Sequence, residues 1–211
     1  MGCERLERAD RKDRSRATRP ATAAALSVRP RASGWHIRRV APLDLKDVWQ
    51  LHTPSPKWGI VTLQVPDGIT AAEILDGRLE GTALPLRTIV LEDVARFGDG
   101  VATGWASVML ISPAVQAKLA PFGGWKPIPV SSSEHRLNGY VVLSLSGRIG
   151  PIVEEAGGAG LLVDPATWDG KALFKPENRR GIWMTGNAAS ALGKARLKGV
   201  DVDRYLGWGD K

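Results

Sequence analysis

The stretch Trp105–Val130, WASVMLISPAVQAKLAPFGGWKPIPV, decides how the rest of this 211-residue chain is read. Trp105 to Ile111 is apolar at consecutive positions, which predicts a strand covered on both faces and so central in a sheet. Ser112 follows as a helix cap, and Pro113 suits a first helical turn, where its missing N–H costs nothing. Val115, Leu119 and Phe122 then recur at helical spacing over 114–122, and Gly123-Gly124 supplies the stop. Trp125 to Val130 must be extended, because Pro127 and Pro129 hold their neighbours out of the helical region. A helix this short is marginal alone and forms only when packed against strands.

Working outward, the segment 181–202 repeats the same preference. A strand over Gly181–Met184 leads to Thr185 as a cap, a helix over Asn187–Leu197, and Gly199 as a stop before another strand. The echo lies in the order of elements, not in residue identity. Trp58 to Val65 predicts a strand halted by Pro66-Asp67-Gly68. Thr70 with Glu73 forms a capping-box pattern for a helix over Thr70–Leu79. Thr88 to Leu91 is β-prone, and the glycine-bearing Phe97 to Gly104 reads as a loop. Asn138-Gly139 is a turn before a strand over Tyr140–Leu145. Pro151 to Ala156 reads as one or two helical turns. Gly160–Val163 and Ala172–Phe174 read as short strands. The expected fold class is α+β: a mixed, mostly antiparallel sheet with short helices packed on it.

Charge divides the chain. The net charge is +7, yet all of it falls before residue 40: residues 1–39 hold eleven Lys/Arg against four Asp/Glu, and residues 40–211 hold eighteen of each. Residues 1–34 are rich in Arg, Ala, Ser, Thr and Pro and poor in large apolar side chains. Such a composition predicts a disordered basic tail, with 35–211 as a single folded domain. A neutral domain lacks the broad positive footprint that non-specific nucleic-acid binding needs, so nucleic acid is an unlikely partner for it. No apolar run approaches the ~20 residues of a membrane helix. The one cysteine, Cys3, permits no intramolecular disulfide and no Cys-based zinc site. No secretory signal is recognised, and a cytoplasmic location is expected.

A search for chemistry returns little. His36, His52 and His135 stand apart from one another, and neither HExxH nor an EF-hand pattern occurs. Gly104-Trp105-Ala106-Ser107-Val108 lacks the second glycine of a nucleophile elbow. Ser131-Ser132-Ser133 beside Glu134-His135 holds all three triad residue types, but adjacency in sequence is not triad geometry, and the run reads as a polar loop. Gly98-x-Gly100-x-x-x-Gly104 misses the dinucleotide spacing, and Gly157-Gly158-Ala159-Gly160 lacks the P-loop lysine. No catalytic residue, metal ligand or cofactor site is assigned. Of the eight tryptophans, Trp105, Trp125 and Trp183 read as core. Trp35, Trp49, Trp58, Trp168 and Trp208 lie nearer turns and ends, where one or two exposed rings would make interface anchors.

From about Asp47 to Val202 the order of features resembles a bacterial immunity-protein family of polymorphic toxin systems, immunity protein family eleven, with a myxobacterial-type domain. The resemblance rests on Val65-Pro66-Asp67-Gly68-Ile69, on Val108–Ser112 ending at a helix cap, and on Trp125-Lys126-Pro127-Ile128-Pro129-Val130. It continues through Gly139-Tyr140-Val141-Val142-Leu143, Ile152-Val153-Glu154, Leu173-Phe174, and Ile182–Thr185 before a helix and Lys198-Gly199-Val200. It implies a cytosolic protein, not an enzyme, that binds and neutralises a cognate protein toxin. For such a partner the most acidic local stretch, Glu92 to Gly104, offers Glu92, Asp93 and Asp99 as candidate contact residues. Two other readings stay open: a small hydrolase with a site assembled from scattered residues, using His52 or His135, and a nucleic-acid-associated module acting through the basic tail.

Overall fold

The computed structural model describes residues 43–79, 82–92, 94–154 and 161–205. The basic tail and the start at Trp35–Val40 lie outside these residues. In chain order the elements are β1 (Val48–Leu51), β2 (Ile60–Gln64), α1 (Ala71–Leu75), β3 (Leu86–Glu92), β4 (Gly100–Ala102), β5 (Met109–Ile111) and α2 (Pro113–Leu119). They continue as β6 (Trp125–Ser132), β7 (Val141–Leu145), β8 (Arg148–Ile149), β9 (Val153–Glu154), β10 (Leu161–Leu162), β11 (Leu173–Pro176), β12 (Ile182–Thr185), α3 (Gly186–Gly193) and β13 (Val202–Arg204). The class is α+β, with mixed, mostly antiparallel sheets and short helices.

The strands divide between two main sheets. One is a closed barrel in the order β2-β3-β6-β7-β5-β4, and the other is a five-stranded sheet, β13-β1-β12-β11-β8. β9 and β10 form a separate ribbon. Among the described residues, parallel pairing is confined to β2 with β4, β3 with β6, and β8 with β11.

Strand periodicity then sorts side chains into three cores. Leu110 and Val142 point into the barrel with Val61, Leu63, Leu86 and Ile128. Their neighbours Met109, Ile111, Leu143 and Leu145 point the other way, into a second core with Leu173, Ile182, Met184 and the buried sides of α2 and α3. Trp183 and Phe174, on the far face of the five-stranded sheet, close a third core with Val48 and Ile149. The strand end of the run expected to be central, Met109–Ile111, is therefore buried on both faces.

Several local expectations hold by mechanism. Thr70 and Glu73 form the reciprocal capping box of α1, and the Ser112 hydroxyl accepts from Val115 N at the start of α2. Others are corrected. The segment read as a loop over Phe97–Gly104 contains β4, which pairs with both β2 and β5 and so closes the barrel. The strand expected over Trp105–Ile111 begins at Met109. Val108 N donates to Trp105 O at 3.0 Å, and Ser107 takes a φ of 62°, so a turn precedes the strand. Of the helical turns expected over Pro151–Ala156, Val153–Glu154 are strand and the residues from Glu155 onward lie outside the described set. Asn178 holds Ile152 through both of its backbone groups, at 2.8 and 2.7 Å, and β9 pairs with β10. The last helix ends at Gly193, not Leu197, and Thr185 makes no side-chain cap bond; the Asp47 carboxylate accepts from Gly186 N at 3.2 Å instead. Ser131 and Ser132, read as loop, belong to β6, paired with β3.

Candidate functional site

The acidic stretch is pinned inside the fold more than it is displayed. Asp99 spends both carboxylate oxygens internally, accepting from the Ser112 hydroxyl at 2.9 Å and from Lys198 N at 2.9 Å. Around it, Arg136 donates to Val94 O at 2.6 Å and lies over the Phe97 ring, and the Tyr140 hydroxyl donates to Gly98 O at 2.8 Å. Burial, with the Asp99 charge adding to it, pushes the Tyr140 phenol above its ordinary pKa. Glu92 is exposed at the end of β3, paired across the barrel wall with Ile60. Asp93 lies outside the described residues. Glu92 is thus the described acid of the three whose carboxylate is not engaged by the fold.

Next to Glu92 is a feature that sequence reasoning missed. Ile89 and Leu91 are 46% and 58% exposed, two of the five large apolar side chains so exposed among the described residues. Alternation along β3 explains it: Leu86 and Thr88 point into the barrel, so Arg87, Ile89 and Leu91 point out. The register between β2 and β3 slips beside Leu91, leaving that residue unpaired. Of the tryptophans read as possible anchors, Trp35 and Trp208 lie outside the described residues, and Trp49, Trp58 and Trp168 are not fully exposed. Of those read as core, Trp183 is buried and Trp105 and Trp125 are half-buried. Trp125 Nε1 donates to Leu119 O, and Trp58 lies beneath the ammonium groups of Lys57 and Lys198.

No protein-family model matches this chain, and a search of curated proteins finds no match either.

A second constellation surrounds Asp76, the C-cap of α1. Its side chain is only 6% exposed, and it faces three cations: Arg78 at 2.7 Å, Arg148 at 2.9 Å and Lys175 at 2.9 Å. Lys175 is itself 7% exposed, on β11 between Phe174 and Pro176. Arg148 also donates to the carbonyls of Leu145 and Gly147. A buried ammonium must be paired, and a carboxylate at a helix C-terminus is unfavourable unless cations surround it. Here each condition satisfies the other, and α1, β8 and β11 are tied at one point. One signal of this was in the sequence: a lysine inside the apolar run Leu173-Phe174-Lys175-Pro176. A groove of about 480 Å³ opens beside the cluster, with Asp76, Arg78 and Lys126 among its polar lining residues and Leu79, Leu84 and Pro127 among its apolar ones.

The histidines separate. His52 Nε2 lies 3.4 Å from Asp203, and His52 shares a cleft of about 290 Å³ with Ser107, the serine held at positive φ. His135 is 85% exposed beside Glu134, and His36 lies outside the described residues. Glu134 is clamped by Arg136 at 2.8 and 2.6 Å, and this hydrogen bonding holds its carboxyl down at about 2. Among the described residues, no group of three or more His, Cys, Asp and Glu side chains is placed to hold a metal ion. No described helix is long and apolar enough to cross a membrane.

Proposed function

We propose that this chain is an immunity-type protein of the bacterial cytoplasm that binds a cognate protein toxin and neutralises it by contact. The observation that carries the reading is the outward face of β3. Exposed aliphatic side chains gathered on one rigid strand, bracketed by Arg87 and Glu92, have the make-up of an interface patch: apolar anchors with a charged rim. An inhibitor of this kind needs a stiff scaffold and a complementary surface of roughly 1,200–2,000 Å². Barrel closure supplies the stiffness: β3 is held by β6 over Leu86–Thr88 and by β2 along the part that carries Ile89. The order of structure-setting residues from Asp47 to Val202 supports the same reading by its resemblance to immunity proteins.

The test is co-expression with the product of the adjacent gene. Cells should survive that product when this protein is present. The double variant Ile89→Lys/Leu91→Lys should lose protection while keeping the wild-type circular dichroism spectrum and melting temperature. A neighbouring product without toxicity sinks the reading, and so does undiminished protection by a folded double variant.

The cleft of His52 favours a second reading, hydrolysis. In that reading Asp203 orients the imidazole and Ser107, which lines the same cleft, is the nucleophile. An activity on p-nitrophenyl esters abolished by both His52→Ala and Ser107→Ala would support it; activity unchanged by either rules this cleft out.

A further inference from the structure

The geometry points to the groove above Asp76 as a binding site for a small organic oxyanion: an apolar body ending in a carboxylate or a phosphate.

The argument begins with charge. Arg78 and Lys126 line the groove together with the carboxylate of Asp76, and that carboxylate is also paired with Arg148 and Lys175. Two other acids are already occupied: Glu73, which feels the charges of Arg78 and Asp76, accepts from Thr70 N and Oγ1 at 2.8 Å, and Asp169 accepts from Arg148 N at 3.0 Å and lies 3.4 Å from Lys171. Asp76 cannot neutralise its neighbours alone. Arg148 offsets part of its own desolvation by donating to two backbone carbonyls, whereas Lys175 has Asp76 as its partner. The positive excess is therefore carried toward the groove. Arg78 is 67% exposed there with one nitrogen on Asp76, and Lys126 is exposed without an ion-pair partner among the described residues. A guanidinium so placed keeps donors in the fork geometry that matches carboxylate and phosphate oxygens.

Much of the remaining lining is apolar: Leu79, Leu84, Pro127 and Pro129 contribute to it, and Leu84 is 54% exposed. The volume of about 480 Å³ lies within the range of small-molecule sites, which are mostly apolar with a few polar groups fixing orientation. The groove also cannot be filled by an added β-strand. The first part of β6 has β7 on one side, and β3 joins the other side only from Val130 onward. Pro127 and Pro129 deny that open edge two N–H donors. A compact ligand with an anionic head and an apolar body matches both kinds of lining residue. This site is separate from the outward face of β3, and either assignment can fail without the other.

The test is titration of the full chain at low salt with phenyl phosphate and phenylacetate, using inorganic phosphate and benzyl alcohol as the head-only and body-only controls. Backbone amide shifts at Gly77, Lys126 and Leu145 report the location. At least one organic oxyanion should bind 10-fold or more tightly than either control, with affinity falling as salt rises. Arg78→Ala/Lys126→Ala should weaken it at least 10-fold. Both side chains reach solvent, and Asp76 keeps Arg148 and Lys175, so that variant should stay folded, as its melting curve checks. Lys57→Ala should leave binding unchanged. Binding no tighter than inorganic phosphate, equal binding by the folded double variant, or shifts confined to other residues would each overturn the assignment.

Discussion

Removing the Asp76 carboxylate would leave Lys175 charged and buried with nothing opposite it. Asp76→Ala is therefore expected to destabilise by about 3–5 kcal/mol, the cost of breaking a buried pair from one side. Lys175→Met removes the cation and keeps an unbranched chain of similar length. It leaves Asp76 with Arg78 and Arg148, so a cost of less than ~1.5 kcal/mol is expected. Urea unfolding of the two variants checks the asymmetry; equal losses would mean that the cluster is not an electrostatic unit.

The tyrosines give a pH test at the same scale. The chain contains two, and burial raises both Tyr140 and Tyr205 above the ordinary phenol value. A folded pKa above the unfolded one stabilises fully below the unfolded value of about 10, and that contribution is lost as pH rises through the folded value. Spectrophotometric titration should show both phenols ionising late. Tyr140→Phe should flatten part of the alkaline loss of stability. Glu134 works in the opposite direction. Its carboxyl, held at about 2 by Arg136, contributes above the unfolded value of ~4.3 and ceases to do so as pH falls toward 2. An NMR titration with a Glu134 midpoint near 4 would refute the clamp.

At the scale of elements, caps show how far a local rule reaches. The α1 box is wholly local, so Thr70→Ala should cost about 1 kcal/mol. The first turn of α3 is different. Its N-cap residue, Thr185, is the correct type but makes no side-chain bond, and Asp47 supplies the acceptor from 139 residues away. Asp47→Ala is accordingly expected to lower stability by about 1 kcal/mol, with Thr185→Ala changing it by less than ~0.5 kcal/mol. Chemical denaturation of both variants decides between the local and the distant cap. Strand lengths divide in the same way. Pro127 and Pro129 correctly signal an extended β6, because proline geometry needs no partner. The Val153–Glu154 strand escapes sequence reading, since its extended form depends on β10 and on Asn178. β4 escapes for a like reason: its glycine-bearing sequence reads as a loop until β2 and β5 lie on either side of it.

At the scale of the whole molecule, the barrel and the five-stranded sheet are joined where backbones meet. Leu173 N donates to Gly123 O, and both Ser146 and Gly147 donate to Gly124 O. Gly124 has a φ of 101°, and a Cβ there would collide with the backbone of Leu173. Gly124→Ala should therefore destabilise by more than the ~1 kcal/mol of an ordinary helix or strand exchange, because conformational strain and a backbone clash add. A melting temperature unchanged by that substitution would show that the junction can open without cost.

The α+β class, the neutral body behind a basic N-terminal segment, the two-faced strands and the caps at Thr70 and Ser112 were all legible in the sequence by itself. Each depends on the polarity of neighbouring residues or on a hydrogen bond spanning a few positions, and such interactions are written in consecutive letters. Closure of the barrel, the gathering of Asp76 with Arg148 and Lys175, the internal engagement of Asp99 and the outward turn of Ile89 and Leu91 were decided only by tertiary structure. These depend on pairing register and on charges brought together from segments up to about a hundred residues apart, a separation across which side-chain type alone carries no record of which partner will arrive.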